Sequence, residues 1–225
     1  MAKHMQHDVE KLQRSILAMA GIVEEAVCAA TRALQDRDAD RAQQVIDGDE
    51  EIDQMENSVQ EECLRVLALY APVAMDLRQI TTMLLITTDL ERMGDLAAGI
   101  AERALELARP PVVGPPPRFA QMAEKAIRMV RLALDAYVHA DANAARDVIN
   151  MDDEVDEDND AIIEGVLKQM KQSPEGIDAG MSMFSAVRFV ERIADHATNI
   201  AEDVVYMVEG QMVRHHPEAL LATRK

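Results

Sequence analysis

The chain has no tryptophan and only three tyrosines and three phenylalanines among its 225 residues. Strand signals are missing throughout, so a sheet-built core is not expected. The two cysteines, Cys28 and Cys63, stand apart with no CxxC spacing. That pattern fits a reducing cytoplasm, with both thiols in the core. A chain of this length buries a substantial core without disulfides or structural metal. Its longest uncharged stretches run about ten residues, as at Gln79 to Thr88, far short of the ~20 needed to span a bilayer. The opening Met1 to Glu10 is polar and charged, unlike a signal peptide. Positive charge is scarce too, with 23 Lys and Arg against 41 Asp and Glu, a formal net charge of −18. Such a field repels phosphate backbones and anionic lipid heads. Nucleic-acid binding and direct membrane insertion are therefore not expected, and any membrane association would go through another protein.

What the chain does contain is Ala, Leu, Glu and Met, residues that lose little rotamer freedom in a helix. It also contains a repeat. Leu90 to Glu102 (LERMGDLAAGIAE) returns one hundred positions later as Val190 to Glu202 (VERIADHATNIAE), with seven of thirteen residues identical. The identities include Glu91, Arg92 and Asp95, and their partners Glu191, Arg192 and Asp195. Packing alone preserves apolar residues; a Glu and an Asp kept four apart suggest that the carboxylates themselves are needed. Asp49-Glu-Glu-Ile-Asp53 likewise returns as Asp152-Asp-Glu-Val-Asp156, 103 positions on. The change of offset places a three-residue deletion around the turn joining the two segments. The chain is a duplicated unit.

Five prolines and a glycine between Arg109 and Arg118 cannot continue a helix. They divide the chain into a first repeat, 1–109, a linker, 110–117, and a second repeat, 118–225. Breakers then delimit three helices per repeat: about Asp8 to Asp36, Ala39 to Tyr70 and Val73 to Ala108, then about Arg118 to His139, Ala142 to Lys171 and Pro174 to Glu209. Val45, Ile52, Val59 and Val66 recur every seven residues, as do Val148, Val155 and Ile162. The expected fold is all-α, two tandem pseudo-symmetric three-helix bundles of long antiparallel helices.

Folding the second and third helices back on each other at Pro72 sets residues whose numbers add to 144 at the same height, Asp53 with Glu91 and Asp49 with Asp95. In the second repeat the total is 347, for Asp156 with Glu191 and Asp152 with Asp195. Acids at i and i+4 share a helix face, so each repeat gathers four carboxylates. From Ala42 to Leu64 there are eight acids and no Lys or Arg. Neutralisation must come from Arg92, Arg192 and other basic side chains, or from metal. Glu50, Glu51, Glu61, Glu62, Glu154 and Glu157 read as solvated helix surface. The eight matched residues, Asp49, Asp53, Glu91, Asp95, Asp152, Asp156, Glu191 and Asp195, read as metal ligands. Oxygen donors suit Mg, Mn, Ca or Fe, and four carboxylates could hold more than one ion.

Pro72-Val-Ala-Met-Asp-Leu-Arg78, Leu90-Glu-Arg-Met-Gly-Asp95 and Val190-Glu-Arg-Ile-Ala-Asp-His-Ala-Thr-Asn-Ile-Ala-Glu202, in this order, resemble the PhoU family of phosphate-uptake regulators. The resemblance spans about Asp8 to Gly210. It implies a cytoplasmic, non-catalytic regulator of phosphate transport and homeostasis that carries multinuclear iron or zinc clusters on E(D)xxxD motifs, here Glu91/Asp95 and Glu191/Asp195. It also implies two partners, the ATPase of the phosphate ABC transporter and the sensor histidine kinase of the phosphate response, which such proteins restrain when phosphate is plentiful. Homodimers are common in the family.

The second repeat departs from the first at His196 and Asn199, where the first has Leu96 and Gly99, and at Ala194, where the first has Gly94. Asp76-Leu-Arg78 has no counterpart in Gly176, Ile177 and Asp178. Three other readings stand beside the regulator. One is a metal-free helical scaffold whose acids meet basic patches or internal arginines, and another is a metal-storage protein. The third, a di-iron carboxylate oxidase, needs a Glu three residues before a His, and none of the six histidines has one. No P-loop, nucleophile elbow or His-Glu-x-x-His is present either. The terminal histidines His4, His7, His215 and His216 are read as solvated.

Overall fold

A computed structural model describes residues 3–109 and 114–211. They form α1 (Lys3–Asp36), α2 (Ala39–Tyr70), α3 (Ala74–Leu107), α4 (Phe119–His139), α5 (Ala142–Ile149), α6 (Asp152–Gln172), a 3-10 turn (Pro174–Gly176) and α7 (Ile177–Glu209), with no strand among the described residues. The all-helical expectation holds. One expected helix, Ala142 to Lys171, is interrupted. Met151 N bonds to Val148 O at 2.9 Å and Glu154 N to Met151 O at 3.2 Å, a tightening to i→i−3 bonds that separates α5 from α6 just before Asp152. His4 and His7 are exposed on α1; His215, His216 and linker residues 110–113 lie outside the described residues.

The repeat extends to the turns. Asp38 caps α2 by accepting from Arg41 N at 3.0 Å, and Asp141, 103 positions on, caps α5 by accepting from Asn143 N at 2.9 Å and Ala144 N at 3.1 Å. The residues before them, Arg37 and Ala140, both adopt left-handed backbone, φ 56° and 50°. At the next turn Tyr70 corresponds to Ser173 by the offset of 103 and Ala74 to Pro174 by the offset of 100. The three-residue difference is therefore Ala71-Pro72-Val73, the connection between α2 and α3.

Both heptad seams, Val45 to Val66 and Val148 to Ile162, are buried. α3 packs on α1 and α2, and α7 packs on α4, α5 and α6. The two bundles then join through α3 and α7, the most extensive helix contact in the molecule. Gly99 on α3 meets Phe189 on α7, where a Cβ would come 2.9 Å from the ring. One hundred positions away the same crossing is polar. His196 Nδ1 lies 2.7 Å from Asp89 Oδ1, and Asn199 Nδ2 donates to that oxygen at 3.5 Å. The α7 terminus is tied down by Arg78, whose Nε donates to Met207 O at 3.0 Å. Gly210 ends the helix in left-handed backbone at φ 73°, and a Cβ there would sit 3.3 Å from Arg78 Nη1. Asp76-Leu-Arg78 thus has a structural task that the second repeat does not duplicate.

Two glycines in helix interiors should respond oppositely to substitution. Gly21 has open space where a Cβ would go, so Gly21→Ala should raise stability by about 0.5–1 kcal/mol through helix propensity. Gly99→Val should lower it by about 1–3 kcal/mol by forcing the Phe189 ring aside. Urea unfolding of the two variants measures both, and equal shifts would contradict the α3–α7 crossing.

Candidate metal centre

Each centre lies at a seam between a helix of mostly polar surface and one of the two central helices. At the first seam Gly94 brings α3 close to α2: a Cβ there would fall 2.8 Å from Ile52 Cδ1 and 3.3 Å from Asp49 Oδ1. Asp49 and Glu91 are half-buried, while Asp53 and Asp95 reach solvent. Burial pushes the Asp49 carboxyl above its ordinary range, and the charges of Asp95 and Asp53 add to the effect. Glu91 is raised by burial, then by Asp95, with Glu56 and Asp53 adding and Arg92 opposing. Arg92 Nε stands 3.4 Å from Glu91 Oε2 and its Nη1 3.5 Å from Asp95 Oδ2. The level pairing is visible directly in Thr88 and Glu56, whose numbers also add to 144: Thr88 Oγ1 donates to Glu56 Oε1 at 3.1 Å.

The second seam is more strained electrostatically. Asp152 is pushed up to about 6, first by burial and then by Asp195 and Asp156, with Glu191 adding and the nearby Thr198 hydroxyl opposing. Burial also raises Glu191, with Asp195 and Asp156 adding and Arg188 opposing. Asp195 stands at the rim; lost hydration and the Asp156 charge raise it, against His196, Arg188 and Arg192. The direct cation here is Arg188, whose Nη1 donates to Glu191 Oε1 at 2.7 Å. Arg192, expected to mirror Arg92, is exposed and makes no ion pair within 4.0 Å among the described residues.

The structure thus brings Asp49, Asp53, Glu91 and Asp95 together at one seam and Asp152, Asp156, Glu191 and Asp195 at the other. Among the described residues no three Asp, Glu, His or Cys side chains already converge around one point. The donors nonetheless suit a hard cation. They are carboxylate oxygens in excess over local positive charge, and Glu191, only 9% exposed, keeps Oε2 buried with no hydrogen-bond partner among the described residues. Sequence reasoning missed Glu56, Thr88, Arg188 and the Asp89–His196–Asn199 contact. The total of 144 would have found the first two, since it pairs Glu56 with Thr88, and the i, i+3 spacing would have set Arg188 one turn from Glu191. Asp89 could not be found so, because its partners lie across α3 and α7.

A duplicated all-α bundle with matched carboxylate seams defines the class. Within that class the PhoU domain matches this chain twice, at residues 16–104 and 119–204. These ranges begin 103 apart and end 100 apart, the offsets of the internal repeat. The chain belongs to the PhoU family. It is 40% identical over 212 residues to a Pseudomonas putida protein named phosphate-specific transport system accessory protein PhoU homolog, covering 92% of this chain and 82% of that one. An Aquifex aeolicus protein of the same name is 38% identical, covering 92% and 94%. The crystal structure of PhoU from Pseudomonas aeruginosa superposes with a TM-score of 0.86 at 38% identity, covering 92% of this chain and 99% of that one. That of the phosphate transport system regulatory protein PhoU from Streptococcus pneumoniae gives 0.87 at 30%, covering 93% and 99%.

The raised Asp152 carries a pH signature. Between the ordinary aspartate value of 3.8 and about 6, folded Asp152 holds a proton that the unfolded chain has lost. Its contribution to stability therefore falls as pH rises through that window and levels off above it. In chelator-treated protein Asp152→Asn should raise the urea midpoint at pH 7.5, and the gain should shrink towards zero at pH 4. A variant less stable than the parent at pH 7.5 would contradict this electrostatic assignment.

Proposed function

We propose that this chain is a metal-binding negative regulator of phosphate uptake and of the phosphate starvation response. It acts by docking on the ATPase of the phosphate ABC transporter and on the sensor histidine kinase. The observation that carries the reading is membership of the PhoU family over both repeats, at offsets matching the internal duplication. The relatives' names, accessory and regulatory protein of phosphate transport, support regulation rather than catalysis. No described helix is long and apolar enough to cross a membrane, which suits a cytoplasmic protein recruited to the transporter by its partners. A homodimer is part of the proposal, as is the division into two repeats at 110–117.

In this reading Asp49, Asp53, Glu91 and Asp95 hold one metal group, and Asp152, Asp156, Glu191 and Asp195 hold the other. The ions, iron or zinc with manganese and magnesium as alternatives, supply the positive charge that cancels repulsion at the seams and tie α2 to α3 and α6 to α7. The acids still open to solvent, Asp53, Asp95, Asp156 and Asp195, give the metal-free scaffold its one specific support, since they could meet a basic patch on a partner.

Partner binding and metal content separate the readings. Immobilised transporter ATPase, or the cytoplasmic part of the kinase, should capture the purified chain, with an association rate that falls as salt rises because the chain carries −18 net charge. Loss of the gene should switch on phosphate-scavenging genes in phosphate-rich medium. Binding to neither partner would defeat the regulatory proposal. Elemental analysis of Glu91→Ala/Asp95→Ala and of Glu191→Ala/Asp195→Ala should show each pair lowering bound metal independently. Unchanged stoichiometry in both would favour the metal-free scaffold.

A further inference from the structure

The two seams are copies in sequence but not in satisfaction of their polar atoms. At the first, Arg92 spans Glu91 and Asp95. Neighbouring Glu56 Oε1 accepts from Thr88 Oγ1 at 3.1 Å and from Gln60 Nε2 at 2.8 Å. At the second, Arg188 holds only one Glu191 oxygen and leaves Oε2 buried without a partner among the described residues. The residue 103 positions after Glu56 is Asn159, 5% exposed on α6. Its Nδ2 reaches Asp160 Oδ1 at 3.4 Å, yet its Oδ1 is buried with no donor among the described residues.

Position follows from the helix and from the repeat. Asn159 stands three residues after Asp156 and seven after Asp152, on the same face of α6. By the same total of 347 Asn159 stands level with Arg188, one turn before Glu191 on α7. Two buried acceptors therefore adjoin the acidic cluster. Buried acceptors without donors are uncommon in folded proteins, and each calls for a ligand or water that satisfies it. An amide oxygen next to carboxylates is a donor set for a hard divalent cation.

We propose that the second seam is the tighter divalent-cation site and that Asn159 Oδ1 is a ligand there beside Glu191 Oε2. This rests on the metal reading above. It adds that the two centres fill in order, because among the described residues the first seam has no buried acceptor left unpaired and the Glu56 oxygen is engaged, an asymmetry that outweighs the closer arginine at the second, where Arg188 Nη1 lies 2.7 Å from Glu191 Oε1. At the second, Glu191 and Asn159 each keep one acceptor free for the ion.

The test is a Mn²⁺ titration of the full-length chain after chelation, with free ion followed by its paramagnetic resonance signal and metal-free stability followed by urea unfolding. The wild-type chain should show two classes of site. Glu191→Gln with Asp195→Asn should remove the tighter class, and Glu91→Gln with Asp95→Asn the weaker. Asn159→Leu, similar in volume, should weaken the tighter class about tenfold while raising the metal-free unfolding midpoint, since it removes an unpartnered buried acceptor. A merely structural asparagine gives the opposite split, with Mn²⁺ affinity unchanged and the midpoint lowered, and that result overturns the inference. Should the leucine variant not fold, Asn159→Asp serves: it should tighten the same class and lower metal-free stability, and unchanged affinity would count against the assignment. No Mn²⁺ bound by the wild-type chain defeats the metal reading itself. Equal affinities at the two centres, or loss of the weaker class on changing Glu191 and Asp195, defeats only the ordering.

Discussion

Like charges held across two helix seams dominate the design of this molecule. Carboxylates on α2 face carboxylates on α3, and those on α6 face those on α7, in part stripped of water. Each helix pair is held together by an apolar stripe that forces its acids into proximity: Ile52 packs under Gly94 beside Asp49, and Val155 is fully buried one residue before Asp156. Hydrophobic burial overrides repulsion there, and raised carboxyl affinities at Asp49, Glu91, Asp152, Glu191 and Asp195 are the residue of that conflict. A protein with no use for those charges could relieve them by replacement with amides. Their repetition at both seams is the strongest structural reason to assign them a cation.

The seams depend on α3 and α7, which carry half of each acidic set and pack on each other through the centre of the molecule. Duplication explains that crossing, and its asymmetry shows how the copies have diverged. Where Gly99 admits the ring of Phe189, the mirror position sets Asp89 against His196 and Asn199. That polar contact ties the two repeats together within one or two residues of Glu91 and Asp195. The acidic seams and the joint between the repeats are therefore neighbours along both α3 and α7.

Much of this was legible in the sequence because it follows from local rules. Offsets of 103 and 100 located the three extra residues at the α2–α3 turn, and helices of equal rise predicted which acids stand level. The breakers put helix starts at Ala39 and Ala142, one residue after the capping Asp38 and Asp141. What escaped depends on tertiary context. The separation of α5 from α6 has no proline or glycine to signal it; its one mark in the sequence is Asn150, a weak helix former that caps α5. Arg192 looked equivalent to Arg92 by alignment, yet Arg188 took the neighbouring carboxylate, since a residue three before Glu191 also lies on its face. His196 and Asn199 stood out only as departures of the second repeat from the first, and the structure engages both with Asp89. Asn159 carried no signal beyond standing where the first repeat has Glu56.

Anomalous X-ray diffraction from crystals grown with Mn²⁺ shows directly whether the duplicated carboxylates are cation sites. Anomalous density should appear at both seams, between α2 and α3 and between α6 and α7, with the carboxylates of Asp49, Asp53, Glu91 and Asp95, and of Asp152, Asp156, Glu191 and Asp195, drawn in around it. Anomalous density only elsewhere, or none, with Arg92 and Arg188 still holding Glu91 and Glu191 at the distances seen now, would contradict the cation assignment.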